Sequence, residues 1–324
     1  MEFSVEEVRC LCGSNDSIPL TIIHLIDGRN LRIVECKDCG LQYMNPRLDK
    51  KFLDWMYREG YYASLIADKD RWAEKTIELE IEREMVHLYR LKPILKVRHR
   101  YGLRRLLDIG TGTGYFLKLA KDRGFDVLGI EPSKRACDFA RENYGITILN
   151  ISGVEDAGFQ DGSFDVVTLY HVVEHLPYPQ DTLKEIRRIL RPNGMLLIVT
   201  PNHRSVETLL SRLNRILGYP VKPLKDPYII KTWKEGCYHL QPKRLDDEGY
   251  MIYLLHSSHH IYFFNPRTLK KLLMRNNFSI ERYPRGYYCE GAKGIRKLFS
   301  SGVVNLLARI FNLQREIMFY ARKS

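Results

Sequence analysis

The feature that most constrains the fold is a glycine-rich turn at residues 106–115, which read Leu-Leu-Asp-Ile-Gly-Thr-Gly-Thr-Gly-Tyr. Glycines at alternate positions let the backbone turn tightly and approach a ligand without an obstructing Cβ. The helix expected to follow offers free N–H donors at its N-terminus. A dinucleotide-binding turn would place its third glycine at position 115, but this sequence has Tyr115 there. The segment therefore predicts a ligand-binding strand–turn–helix of a different kind.

From Leu103 onward, apolar runs alternate with amphipathic stretches. This alternation predicts βαβ units around a parallel sheet, and hence a doubly wound, Rossmann-like α/β fold. The predicted strands are 103–109, 126–131, 146–149, 164–170 and 194–200, with helices at 115–123, 133–143 and 181–190. The alternation breaks after Pro201 and resumes with a helix at 266–276, a strand near 278–283 and a last strand near 316–321.

Three further segments contain residues that could bind a ligand or take part in a reaction. Glu131 ends the second predicted strand, about 20 residues beyond the first glycine, where an acidic side chain accepts hydrogen bonds from both hydroxyls of a ribose. Residues 162–176 read Gly-Ser-Phe-Asp-Val-Val-Thr-Leu-Tyr-His-Val-Val-Glu-His-Leu, and residues 189–202 read Ile-Leu-Arg-Pro-Asn-Gly-Met-Leu-Leu-Ile-Val-Thr-Pro-Asn.

Taken together, the four segments resemble the class I S-adenosylmethionine (SAM)-dependent methyltransferases. The last two are most similar to the group that acts on small molecules, sugars and lipid-linked acceptors. The resemblance is close over residues 100–202 and continues loosely through 261–266 to the C-terminus. It implies a seven-stranded sheet with a reversed last strand, and SAM as the cofactor. The resemblance also implies which residues bind SAM. The methionine end would contact Asp108, Gly110, Thr111, Gly112 and Gly114, and the ribose would contact Glu131 and Pro132. Val154 and Glu155 would border the adenine, and Tyr170 and His171 would lie beside the cofactor.

Three candidate catalytic residues, His171, Glu174 and His175, follow the fourth strand. Methyl transfer mainly requires positioning of the acceptor, but a hydroxyl acceptor also needs a base. We predict His171 as the base, oriented by Glu174 or His175; the alternative is that Glu174 and His175 hold the loop through hydrogen bonds. His260 is a further candidate, because its His-Ile-Tyr-Phe-Phe setting resembles the segment that closes the cleft in related enzymes.

Two cysteine pairs, Cys10/Cys12 and Cys36/Cys39, each end in Cys-Gly. Four thiolates suit a structural zinc ion in a closed tetrahedral site, and similar N-terminal zinc-binding segments occur in some sugar and natural-product methyltransferases. The first pair is Cys-x-Cys rather than Cys-x-x-Cys, which leaves either Cys10 or His24 as the fourth ligand.

The net charge of +12 is concentrated in residues 201–324, which hold 22 basic and 9 acidic side chains. Apolar residues recur at helical spacing among basic ones in 204–218 and 293–313. Such helices suit peripheral membrane contact or an anionic, lipid-linked acceptor; packing of the cap onto the core is the alternative. An acidic N-terminus without an apolar core and the lack of a run of about 20 apolar residues predict a cytoplasmic location, with peripheral contact at the inner membrane face.

The expected function is O-methylation of a sugar, glycolipid or related small-molecule acceptor. An RNA methyltransferase is the rival enzyme, suggested by zinc and basic charge; the sequence after strand 4 lacks the Asn/Asp-Pro-Pro-aromatic turn of base amino-group methylases. A non-catalytic SAM-binding scaffold is the other alternative, opposed by the intact glycine turn and Glu131. The predicted division is a zinc-ribbon-like module (1–50), a helical connector (51–100), a SAM-binding core (101–202), an acceptor cap insert (203–265) and a C-terminal completion of the core (266–324).

Overall fold

The computed structural model describes residues 4–24, 29–60, 72–205, 229–234, 237–242, 260–282 and 316–323. Its strands are β1 (Val5–Glu6), β2 (Ser17–His24), β3 (Asn30–Cys36), β4 (Gln42–Met44), β5 (Arg47–Leu48), β6 (Arg105–Ile109), β7 (Asp126–Ile130), β8 (Ile148–Leu149), β9 (Phe164–Tyr170), β10 (Leu190–Pro201), β11 (Ile229–Lys234), β12 (Cys237–Pro242), β13 (Tyr262–Phe263), β14 (Phe278–Arg282) and β15 (Glu316–Lys323). Its helices are α1 (Lys50–Trp55), α2 (Trp72–Tyr101), α3 (Tyr115–Lys121), α4 (Lys134–Tyr144), α5 (Pro179–Ile189) and α6 (Pro266–Arg275).

A seven-stranded mixed sheet forms the centre, in the order β14-β15-β10-β9-β6-β7-β8. Strands β6 to β10 are parallel to their neighbours, whereas β15 runs antiparallel to both β10 and β14. The predicted α/β, doubly wound sheet with a reversed last strand is confirmed. Strand order reverses between β6 and β9, and ligands bind outside the carboxyl ends of the strands at such a point.

The central strands are buried on both faces, as expected for a parallel sheet covered by helices. Alternate side chains divide between two apolar clusters: Leu107 and Ile109 pack on one side and Leu106 on the other. Most predicted boundaries differ from the observed ones by one to four residues, and the starts of β10 and β8 are two examples. Strand β10 begins at Leu190, with an irregularity before Met195. Strand β8 begins only at Ile148, because the N–H of Ile146 donates instead to the carbonyl of Ala140 at the end of α4.

The long helix α2 lies in the C-terminal part of the predicted helical connector. Its buried apolar side chains include Leu91 and Ile94, which join the cluster beneath the sheet. Ile81 and Met85 of the same helix are exposed. The C-terminal strand anchors this helix, because the Tyr320 hydroxyl donates to the backbone carbonyl of Arg90 over 3.2 Å.

A second sheet joins the N-terminal segment to later parts of the chain, in the order β11-β12-β2-β3-β4-β13. Strand β12 pairs in parallel with β2, and Tyr262 of β13 pairs with Tyr43 of β4. Three strands from later in the chain, β11, β12 and β13, therefore extend the N-terminal strands β2, β3 and β4.

Several predictions fall outside the described residues. They include the basic amphipathic stretches at 206–218 and 293–313, and the insert histidines His256 and His259. None of the described helices is long and apolar enough to cross a membrane.

Candidate active site

A cavity of about 210 Å³ opens at the carboxyl ends of β6, β7 and β9. Six of the residues assigned to the cofactor line it: Gly110, Glu131, Pro132, Val154, Tyr170 and His171. Asp108, Thr111, Gly112, Gly114 and Glu155 do not belong to the lining and lie behind it. Of the four candidate catalytic residues, His171 and His175 line the cavity, whereas Glu174 and His260 do not. Helix α1 and the turn that follows it add Leu53, Asp54 and Tyr57 to the lining.

The glycine turn has the backbone that its sequence predicts. Gly110, Gly112 and Gly114 all have positive φ angles, of 69°, 60° and 80°, a region that side chains rarely adopt. The N–H of Gly110 donates to the carbonyl of Ile130 over 2.8 Å and ties the turn to β7. A Cβ on Gly110 would lie 2.5 Å from Cγ2 of Val172. Glycine is therefore required here for both backbone and space.

Two buried carboxylates lie at the ends of neighbouring strands. Asp108 accepts a hydrogen bond of 2.5 Å from Thr168, and Glu131 accepts 3.0 Å bonds from the N–H groups of Gly112 and Ser133. Burial raises the pKa of each to about 7, against the opposing effect of these hydrogen bonds. Because Glu131 accepts a hydrogen bond from Gly112, the glycine turn and the end of β7 are held together.

The expected adenine side consists of a short 3₁₀ turn at Val154–Ala157. Val154 is fully buried and lines the cavity. Glu155 faces the other way and accepts a 2.6 Å hydrogen bond from Thr182 of α5. Its carboxylate thus holds the turn against the neighbouring helix.

His171 stands where β9 ends, with a positive φ of 53°. Its Nε2 lies 3.0 Å from both Arg90 Nη2 and Glu316 Oε1, and Arg90 is itself 2.9 Å from Glu316. Burial alone would lower the pKa of His171, but the carboxylates of Glu174 and Glu316 outweigh it and raise the pKa to about 9. The imidazole therefore carries a proton at neutral pH. A general base must first be unprotonated, so this state opposes the base role that the sequence suggested, which stays a prediction.

Sequence reasoning missed Arg90 and Glu316. Arg90 lies in the middle of α2 and Glu316 begins β15, far from any recognised motif. No sequence signal distinguishes them, because α2 contains many charged residues and Glu316 directly follows Arg315. The cation of Arg90 also stacks 5.2 Å from the centre of the Tyr170 ring.

Glu174 is buried beneath the loop that follows β9. Its Oε2 accepts a 2.9 Å hydrogen bond from Thr200, and its backbone carbonyl accepts from the N–H groups of Ile261 and Tyr262 over 3.0 and 3.1 Å. These bonds match the loop-holding alternative for Glu174. They also bring His260 beside His175, with ring centres 4.7 Å apart.

Comparison with known proteins gives the family. A family profile described as "Methyltransferase domain" matches residues 79–283, which is more than half of the chain and includes the whole cavity floor. The chain belongs to this methyltransferase family. SAM is accordingly its expected methyl donor.

Individual relatives match this chain at low sequence identity. An uncharacterised methyltransferase of Mycobacterium tuberculosis is 30% identical over 123 residues, covering 38% of this chain and 50% of that protein. A ubiquinone biosynthesis O-methyltransferase of Actinobacillus pleuropneumoniae is 27% identical over 189 residues, covering 54% and 76%. A solved SAM-dependent methyltransferase from Archaeoglobus fulgidus has 19% identity and a TM-score of 0.44, covering 85% of this chain and 100% of that one. The chain spans about half the length of the first curated relatives it matches.

The methyltransferase also has a thiol cluster away from the cavity. The sulfurs of Cys10, Cys12, Cys36 and Cys39 all lie within 4.8 Å of one another. The Cys10–Cys39 and Cys12–Cys36 separations are 3.5 Å. A tetrahedral zinc site with bonds of about 2.3 Å has sulfurs about 3.8 Å apart, so the cluster has suitable dimensions. Cys10 supplies the fourth sulfur; the side chain of His24, the alternative ligand, lies outside the described part.

The thiols of the cluster do not ionise alike: the hydrogen bond with Cys39 and burial raise the pKa of Cys10, and burial raises the pKa of Cys12. The bond with Cys10 lowers the pKa of Cys39, against the effect of burial. The thiolate is the form that binds metal. The two glycines that follow the pairs, Gly13 and Gly40, have φ angles of 91° and 75°, so each Cys-Gly step makes the tight turn that the sequence indicated.

Proposed function

We propose that this methyltransferase transfers the methyl group of SAM to a hydroxyl oxygen of a small-molecule acceptor inside the cavity. The observation that carries the proposal is that one cavity lining contains both Gly110 and Glu131, from the cofactor turn, and His171 and His175, from the loop after β9. Donor and acceptor would therefore meet within one enclosed space, which is the main requirement of a displacement reaction.

The residues present fit SAM. Gly110 places its backbone in the cavity lining, and ionised Glu131 is positioned to accept hydrogen bonds from ribose hydroxyls. The Tyr170 hydroxyl is buried and makes no hydrogen bond within the described residues, which leaves a donor for a ligand. When bound, SAM supplies a methyl group activated by its sulfonium.

The residues of the cavity would orient the acceptor and influence the ionisation of its hydroxyl group. The loop after β9 presents His171 and His175 to the cavity, and the Arg90–Glu316 pair fixes the ring of His171. Both ring nitrogens of His171 are engaged, Nδ1 at 3.4 Å from Glu174 and Nε2 at 3.0 Å from Glu316 and Arg90. At neutral pH His171 would therefore act on the acceptor oxygen through its positive charge rather than through a free N–H. It becomes able to accept the hydroxyl proton as the pH approaches 9.

The acceptor class proposed is a sugar, a glycolipid or a related hydroxyl-bearing molecule. One relative is named for an O-methylation in ubiquinone biosynthesis, which supports oxygen as the methylated atom and adds ring hydroxyls to the candidates. The basic surplus of residues 201–324 supports an anionic or lipid-linked acceptor.

The test is a screen of the full chain with labelled SAM against sugar nucleotides, glycolipid extracts, polyprenylated phenols and RNA. Label in a base-stable product of one of the first three classes, absent with Glu131→Ala, is expected. Label in RNA alone, or SAM binding without transfer to any class, would contradict the proposal. Sedimentation with anionic and neutral vesicles at low and high salt tests peripheral membrane contact; salt-sensitive binding to anionic vesicles is expected.

We also propose that the thiol cluster of Cys10, Cys12, Cys36 and Cys39 binds one structural zinc ion. Sulfur spacing, the favourable ionisation of Cys39 and the two Cys-Gly turns support it. The four cysteines link the segment before β2 to the end of β3, so the ion would stabilise this small sheet rather than take part in chemistry.

A further inference from the structure

A second candidate metal-binding group lies beside the cavity. One oxygen of Glu174 and one ring nitrogen each of His175 and His260 lie within 4.8 Å of one another. His260 reaches this place because the two residues after it, Ile261 and Tyr262, are hydrogen-bonded to the carbonyl of Glu174. The geometry is therefore fixed by backbone pairing between two distant segments.

Glu174 supplies an independent observation. It is 1% exposed, and its Oε2 is engaged by Thr200. Its Oε1 is buried and forms no hydrogen bond of acceptable geometry within the described residues. That oxygen faces His171 Nδ1 at 3.4 Å and His175 Nε2 at 3.8 Å. The charge of His171 is nearby, but this oxygen lacks a hydrogen bond and keeps a lone pair that a bound cation can use.

We propose that Glu174, His175 and His260 bind a divalent transition-metal cation. Two imidazoles and one carboxylate are a ligand set for iron, manganese, cobalt or zinc, and they leave further coordination positions open. Bonds of about 2.0–2.2 Å place ligand atoms no more than about 4.4 Å apart. The ligand atoms of the observed group lie within 4.8 Å of one another, which exceeds that limit by about 0.4 Å at most.

The position of this group suggests what the cation does. His175 lines the cavity wall, together with His171 and Tyr57, so the open coordination positions are accessible from the acceptor side. A divalent cation lowers the pKa of a hydroxyl that it contacts. The acceptor that fits has a hydroxyl next to a second oxygen, as in a vicinal diol or a catechol. This catalytic role rests on the proposed methyl transfer, whereas metal binding does not.

Cobalt titration of the chelator-treated full chain tests the site. Cobalt bound by nitrogen and oxygen gives weak visible bands, whereas cobalt bound by thiolates gives intense charge-transfer bands in the near ultraviolet, so the two sites are separable in one sample. We expect one cobalt per chain with nitrogen–oxygen bands. His260→Ala and Glu174→Gln should each weaken this binding at least tenfold. His99→Ala, which removes an exposed histidine of α2, should leave it unchanged.

Two results would overturn the proposal: cobalt spectra that contain thiolate bands alone, or equal nitrogen–oxygen binding in the wild type, His260→Ala and Glu174→Gln proteins. Circular dichroism of each variant verifies that it is folded. Calorimetric titration of the same samples with SAM separates this inference from the proposed function. SAM binding without the cobalt site would remove the metal and leave methyl transfer; cobalt binding without SAM binding would support the site and contradict methyl transfer.

Discussion

Gly110→Ala is the sharpest test of the cofactor turn. Gly110 has a φ of 69°, lines the cavity, and has Cγ2 of Val172 only 2.5 Å from where a Cβ would be. Gly102, at the end of α2, provides a matched control. Its φ is 59°, but a Cβ there would meet nothing within 4 Å. The two positions therefore share backbone strain and differ in crowding.

The expected magnitudes follow from this difference. An alanine held in the left-handed region costs about 1–2 kcal/mol, so Gly102→Ala should lower the free energy of unfolding by about that amount. Gly110→Ala adds the displacement of Val172, and overpacking of this kind costs about 1–3 kcal/mol. The reduced entropy of the unfolded chain is common to both replacements and cancels when they are compared.

Urea unfolding gives the two free energies by linear extrapolation, and calorimetric titration gives the affinity for SAM. We expect Gly110→Ala to be the less stable variant and to bind SAM at least tenfold more weakly, because its methyl group and the shifted Val172 both enter the cavity. Gly102→Ala should bind SAM normally. Equal stabilities for the two variants, or normal SAM binding by folded Gly110→Ala, would refute the assignment of this turn.

Three other substitutions test the remaining assignments. Glu131→Ala should weaken SAM binding several-fold at pH 8, because charge-assisted hydrogen bonds are lost. The difference from wild type should shrink toward pH 6, since protonation below the pKa of about 7 removes that charge in the wild type; a pH-independent difference would argue against it. Near pH 9, where part of the wild-type His171 is unprotonated, His171→Ala should lower turnover at least tenfold with SAM affinity nearly intact, because general-base catalysis contributes about 10²–10⁴-fold; a smaller loss would transfer the base role to another residue. Cys36→Ser should lose one zinc by elemental analysis while Cys137→Ser, at a buried cysteine outside the cluster, retains it; equal zinc in both would exclude a thiolate site.

Local patterns in the sequence determined the central sheet and the cofactor turn. The alternation of β6 and β9 sends neighbouring residues such as Leu106 and Leu107 to opposite faces of the sheet, a consequence of strand geometry that needs no knowledge of partners. The glycine spacing, the acidic end of β7 and the Cys-Gly steps are equally local. Each fixes a backbone shape within a few residues, so the predicted elements differ from the observed ones mainly at their ends.

Only the tertiary structure decided which charges meet. His171 and Glu316 are 145 positions apart, and Arg90 comes from a third element. Likewise, the pairing of β13 with β4 and the hydrogen bonds to Glu174 bring His260 to His175. No periodicity encodes such encounters, because they depend on how strands order themselves in two sheets. The raised pKa of His171 could therefore be predicted only from the folded chain, because one of the two carboxylates that raise it, Glu316, lies 145 positions away.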